Sequence, residues 1–369
     1  VTQELIDWDL AVATATRLVP TGPRVTREEA HQVVRELRVL ADEAEGHVRS
    51  FTGLGTAMDH HPVAVVDRVG WVRSNIGGFR VLLAPLLQQL VQRRNEKREG
   101  DRDLLANPFI SGVGSRLTGI EMGAVLAYLA GKVLGQYELF LPPGPSGSVQ
   151  DGRLTLVAPN IVAIERALGA DPRDFRLWVC VHEVTHRTQF TAVPWLQQHV
   201  RDEIGAFLLA SDLDPSAMLG RLKDVAEAIV DTMRGGEGSS LLEAVQTPEQ
   251  RVVLERLTAV MTLLEGHGEY VMNNVGHDVI PSVDAISASF AERRKASGPI
   301  DRAVRRLFGL DLKARQYAEG SAFVKTVVDR HGMAAFNRVW TSPNTLPTKA
   351  EIAEPEKWMA RVLPTAELR

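Results

Sequence analysis

The sequence predicts a mainly α fold of the α+β class, with helical lobes around a small β-sheet, on three observations. Apolar residues recur at helical spacing through the amino-terminal third, two later helices carry clear capping residues, and only two short stretches have strand character.

Residues 1 to about 110 read as a helical amino-terminal lobe. Thr26 precedes Glu28 and Glu29, and Val33, Val34, Leu37 and Leu40 then follow at i, i+3, i+4 intervals, which lines one face with apolar side chains. Between Arg93 and Asp103, Arg93, Arg94, Lys97 and Arg98 mix with Glu96, Glu99 and Asp101 ahead of Pro108, the pattern of a solvated helix end and loop. Gly112-Val113-Gly114 reads as a plain turn, because no strand-to-helix fingerprint continues it into a phosphate loop. The longest apolar stretch, Met122 to Leu134, is broken by Gly123, Gly131 and Lys132 and falls short of the roughly 18–20 residues of a membrane span. It reads as a buried helix.

Strands are expected at Tyr137–Leu141 and Arg153–Val157, joined by an exposed loop rich in proline and glycine from Pro142 to Gly152. A helix over 172–190 follows: Asp171 caps it, Pro172 suits its first turn, and Asp174 complements the amino-terminal dipole. A second begins at Thr247, with Pro248 in first position and Gln250 completing a capping box, and runs through Leu254, Leu257, Met261 and Leu264 to about Asn273. Residues 292–315 hold eight basic side chains against three acidic ones, an excess of +5, which reads as a solvated face or a patch docked on the protein's own acidic surface; an anionic-substrate site is the sharper alternative. Beyond Thr341, Pro343, Pro347, Pro355 and Pro364 predict irregular chain wrapping the body. The expected organisation is a helical lobe over 1–110, a metal-binding core over 111–290, and a carboxy-terminal segment over 291–369 packed on that core as one compact unit.

Composition narrows the function. Of 369 residues, 44% are hydrophobic and 24% charged, and the formal charge is 42 − 46 = −4, so no global field favours nucleic acid or an anionic membrane. Cys180 is the single cysteine and excludes an intramolecular disulfide, and Val1 to Pro20 lacks the basic start and apolar block of a signal peptide. A cytoplasmic protein is expected.

The chemistry sits in His182-Glu183-Val184-Thr185-His186, an H-E-x-x-H sequence within the expected 172–190 helix. At about 100° per residue the two histidines differ by about 40°, so both imidazoles leave one face and can share an ion. Glu183 lies about 60° from His186, where its carboxylate can take a proton from water that the ion activates. Zinc suits neutral imidazoles and lowers the pKa of such a water to about 7. An open catalytic zinc needs a third protein ligand. Residues 187–192 lack the glycine and third histidine of a metzincin. The stretch Leu264-Glu265-Gly266-His267-Gly268-Glu269-Tyr270 offers two candidates: Glu265, which shares a face with Glu269, and His267, about 200° away from Glu265.

Glu265, with Gly268 three residues on and Glu269 four on, resembles the second motif of gluzincins. That resemblance implies that Glu265 is the third ligand and that Glu269 bonds the outer nitrogen of His182 or His186. Gly266 and Gly268 would then let the two motif helices approach closely. The wider chain resembles the zincin-like metallopeptidase type 2 family of actinobacteria and related bacteria, which includes a group associated with coenzyme F-420 biosynthesis. The likeness rests on Asp7-Trp8-Asp9-Leu10-Ala11, the stretch from Glu45-Gly46-His47-Val48 to Phe51-Thr52-Gly53-Leu54, both zinc motifs, and Lys313-Ala314-Arg315-Gln316-Tyr317 with Gly320 and Phe323. It implies a mainly helical zincin-like fold and a hydrolase.

The expected reaction is hydrolysis of a peptide or small amide, with Glu183 as general base and later proton donor to the leaving amine. His277, Tyr270, Tyr317 and Arg315 are the candidate donors to a developing oxyanion. No organic cofactor is indicated. His267 is expected either to line the cleft or to lie on the helix's far surface. Cys180, Trp178, Trp195 and Phe190 are expected in packing roles. The alternative function is a zinc-binding scaffold with a protein partner, linked to cofactor assembly; intact Glu183 argues against it, because holding a metal does not require that residue.

Overall fold

In the computed structural model, the described residues are 6–55, 63–100, 108–142, 152–209, 248–295 and 310–363; side chains of 90–100, 108–114, 209, 248–249, 294–295 and 310–317 lie outside the description. The fold is mainly helical with one three-stranded sheet.

Helix α1 (Trp8–Leu18) starts at Asp7, whose carboxylate accepts from the Leu10 amide. Helix α2 (Arg27–Thr52) starts at Thr26, whose hydroxyl accepts from Glu29 N, and closes on Gly53 at φ +66°, a conformation glycine adopts without steric cost. The predicted stripe Val33, Leu37 and Leu40 is buried. Helix α3 spans Arg68–Gly100 and α4 spans Pro108–Ala130, so the expected turn at Gly112-Val113-Gly114 is wrong: that segment is helical. A glycine weakens a helix by about 1 kcal/mol without ending it. Close packing of α4 on α1 holds the helix, since a Cβ at Gly119 or Gly123 would lie 2.4 Å or 2.5 Å from the Asp7 or Ala11 carbonyl oxygen.

The sheet has the order β1-β3-β2: β1 (Ala64–Val66) runs parallel to β3 (Arg153–Val157), and β2 (Gly135–Glu138) runs antiparallel to it. Strand β1 lies in a stretch expected to be helical; three residues are too few to show alternation, and the partner is distant in sequence. The strand expected at Tyr137–Leu141 begins two residues earlier and ends three residues earlier. Glu138 ends it, accepting from Arg153 and Thr155 across the ladder, and the Leu139 carbonyl turns away to accept from Arg201.

Helices α5 (Ala158–Leu168), α6 (Pro172–Ala192), α7 (Leu196–Leu209), α8 (Pro248–Asn274), α9 (Val283–Lys295) and α10 (Leu310–Phe336) complete the body. Asp171 caps α6 by accepting from Asp174 N at 3.0 Å. Thr247, the expected cap of α8, lies outside the described residues, as does most of the basic run 292–315. The tail is more regular than its prolines suggest. Short 3-10 turns at Asn337–Trp340 and Pro343–Thr345 lead to α11 (Lys349–Ala353) and α12 (Pro355–Val362). Pro343 and Pro355 occupy first helical positions, where a missing N–H costs nothing. Thr348 and Glu351 cap α11 reciprocally, Arg361 pairs with Glu351, and Trp358 is fully buried.

Fifteen of the 21 residues of α6 are buried, so other elements surround this helix instead of covering one face. Phe175, Leu177, Trp178, Val181 and Val184 pack with residues of α2, β3 and α5, while Phe190 near its end joins residues of α8 and α10. Its buried arginines are paired: Arg176 bonds both oxygens of Glu165 and also Glu36, and Arg187 bonds Glu45 at 3.0 Å. A third cluster joins α1, α3 and α4. Among the described residues, no helix is long and apolar enough to cross a membrane.

Candidate metal centre

His182 and His186 stand one turn apart on α6, with ring planes at 88° and Nε2 atoms 3.1 Å apart. Glu265, on α8, brings Oε2 to 3.6 Å from His182 Nε2 and 3.5 Å from His186 Nε2. Among the described residues, this is the one group of His, Cys, Asp or Glu side chains placed to share a metal ion. The spacing fits zinc: a tetrahedral centre with bonds of about 2.0–2.1 Å separates its ligands by about 3.3 Å. All three side chains are at most 14% exposed, so solvent does little to screen their charge and dipoles. Burial opposes protonation of His186, but the hydrogen bond and charge of Glu265, with the charge of Glu183, outweigh it and raise its pKa.

Glycines set the approach of the surrounding backbone. At Gly268 a Cβ would lie 3.0 Å from Cε1 and Nδ1 of His182, which is why α8 can pass so close to the imidazoles. Gly266 serves a different neighbour from the one expected. It faces Gly320 of α10, where a Cβ would sit 2.2 Å from the backbone carbon, so it seats α8 on α10 and not on α6. The buried Glu183 lies against Gly135 of β2, where a Cβ would meet its carboxyl carbon at 2.7 Å.

The outer nitrogen of His186 is held by Gln189. His186 Nδ1 lies 3.0 Å from Gln189 Oε1, while Gln189 Nε2 lies 3.0 Å from both the Leu264 carbonyl oxygen and His267 Nδ1. Gln189 thus occupies, at His186, the place that the resemblance assigned to Glu269. His267 is neither on the surface nor a free cleft group. It is fully buried behind the site against Phe336 and Trp340, and burial, followed by the charge of His186, pushes its pKa down to about 3, keeping it neutral.

Of the expected oxyanion donors, His277 and Tyr270 make their contacts away from the triad. His277 is a surface group paired with Asp284 at 2.9 Å. Tyr270 lies about 140° around α8 from Glu265 and packs on Phe51; burial, then the charge of Asp329, raises its pKa. Arg315 and Tyr317 fall within α10, but their side chains lie outside the described residues. Trp178 meets Phe290 edge-on, Phe190 stacks on Tyr137, and Trp195 donates to the Trp340 carbonyl, so these aromatics pack. Cys180 is fully buried, which raises its thiol pKa.

Sequence reasoning missed Gln189 and Gly135, and named Gly320 only within the family resemblance, without a role. Gln189 had a legible signal, standing three residues after His186 and seven after His182 on one helical face. Gly135, and the part that Gly320 plays, had none, because each matters through a residue far away in the chain.

A family profile described as zincin-like metallopeptidase matches residues 6–359. A solved structure from Chloroflexus aurantiacus, titled a "putative hydrolase with a novel fold", is 31% identical and superposes with a TM-score of 0.63, covering 96% of this chain and 98% of its own. No curated protein matches the sequence.

Proposed function

From the premise that the chain belongs to the zincin-like metallopeptidase family, we propose that it is a zinc-dependent hydrolase of peptide or small amide bonds. The observation that carries this reading is the convergence of His182 Nε2, His186 Nε2 and Glu265 Oε2 beside a buried Glu183 on the same helix as the histidines. These three residues would hold the metal through those atoms. Zinc there supplies Lewis acidity, which activates water and polarises an amide carbonyl.

Glu183 does the proton work. Its carboxylate accepts a proton as water attacks and delivers it to the departing amine nitrogen, a role worth roughly 10²–10⁴ in rate. Its packing against Gly135 limits where that carboxylate can swing. The likeness to the Chloroflexus aurantiacus protein supports the hydrolase class. Metal analysis of purified protein is expected to find one zinc per chain, and a peptide-library digest is expected to show cleavage that a chelator abolishes. A zinc-loaded protein that cleaves neither peptides nor small amides would leave the scaffold reading in its place.

A further inference from the structure

We propose that Gln189 is a positioning residue that fixes the tautomer of His186, and so aims the Nε2 lone pair of that imidazole at the cation site. The inference rests on the reading of His182, His186 and Glu265 as metal ligands.

A backbone carbonyl orients the Gln189 amide. The oxygen of Leu264 can only accept, so the Gln189 amide atom 3.0 Å from it must be the NH2 group. A flipped amide would press two acceptor oxygens together. With the NH2 fixed there, Oε1 is the atom facing His186 Nδ1 at 3.0 Å, and an oxygen that accepts requires a proton on Nδ1. In neutral His186 the lone pair must then be on Nε2, the atom that faces His182 and Glu265.

The second N–H of Gln189 points at His267 Nδ1, also at 3.0 Å, which makes that nitrogen an acceptor and places the His267 proton on Nε2. The amide thus uses its acceptor and both its donors. Gln189 and His267 are both fully buried, so water does not compete for these bonds. Leu264 immediately precedes Glu265. One side chain therefore ties the ligand turn of α6 to the ligand turn of α8 and sets the protonation pattern of the histidine between them. Such outer partners of metal-bound histidines typically change metal affinity by about 10–100-fold.

The test uses the full chain with ¹⁵N-labelled imidazoles, free of metal, at about pH 9, above the ordinary imidazole range, with signals assigned by single-histidine variants. The expected result is the Nδ1–H form for His186 and the Nε2–H form for His267. Finding His186 in the Nε2–H form overturns the proposal. In Gln189→Met, which fills the space without hydrogen bonds, His186 should become a mixture of tautomers, and zinc affinity by chelator competition should fall about 10–100-fold. Gln189→Glu keeps the acceptor and loses the donors, so it should retain the Nδ1–H form and bind zinc more tightly than the methionine variant, although less stable than wild type. A methionine variant with wild-type zinc affinity overturns the inference, and if that variant does not fold, the wild-type tautomers decide. A wild-type protein that binds no zinc overturns the metal reading instead, while the tautomer measurement still decides the role of Gln189.

Discussion

Helix α6 carries two kinds of buried polar cluster. Toward its amino-terminal half, Arg176 meets Glu165 and Glu36, and further along Arg187 meets Glu45, so each cation faces an anion and the donors are matched by acceptors. On the metal-site face, His182, His186 and Glu265 turn two imidazole nitrogens and a carboxylate oxygen toward one point. In the first kind, charge balance stabilises the folded chain. In the second, acceptors crowd together and a positive ion relieves their repulsion. Removing a member should therefore have opposite consequences in the two places.

The largest effect expected is on turnover. Glu183→Gln should lower hydrolysis by about 10²–10⁴ while zinc content stays at the wild-type level, measured by steady-state assay beside metal analysis. Undiminished turnover would remove Glu183 from the mechanism.

The comparison itself is tested by a pair of variants. Arg176→Met leaves Glu165 buried without its guanidinium and should cost about 3–5 kcal/mol in urea unfolding, with zinc stoichiometry unchanged. Glu265→Gln should do the reverse, weakening zinc binding by orders of magnitude while the metal-free protein keeps or gains stability. Equal destabilisation by both would erase the distinction. A smaller effect is expected at Gly135→Ala, where the added methyl meets the Glu183 carboxyl carbon at 2.7 Å. Displacing the base should reduce kcat about tenfold with KM little changed.

The smallest effect belongs to a third polar cluster, at the first turn of α11. Burial of Glu351 works to raise its pKa, but Arg361 and the Thr348 amide outweigh it and lower the value below the usual 4.5. A carboxylate with a depressed folded pKa contributes stability that is present above its unfolded pKa and lost as pH falls through the folded value. Below about pH 4.5 the wild type should therefore lose thermal stability faster than Glu351→Gln, with melting curves across pH as the check.

How much of this was legible depended on the range of the signal. Helix α6 and the body of α8 were readable because caps and periodicity are local, as Asp171 and the spacing of Leu254, Leu257 and Leu264 show. The two histidines followed from angle alone. Glu265 did not, since His267 stood two residues away with an equal claim; the choice came from the resemblance, and the structure brings Glu265 into contact distance while burying His267 behind Gln189. Strand β1, the turn that proved helical at Gly112, and the role of Gly135 all depend on tertiary neighbours. The resemblance assigned Glu269 to His182 or His186, and at His186 a glutamine on the same helix takes the position.

The meeting of Gly266 with Gly320 leaves room for only hydrogen atoms between two stretches of main chain. The carboxy-terminal region is thereby the backstop of the acid that completes the triad. Wedging that seam open, or clipping away the strut behind it, would shift Glu265 without touching any residue that grips the ion.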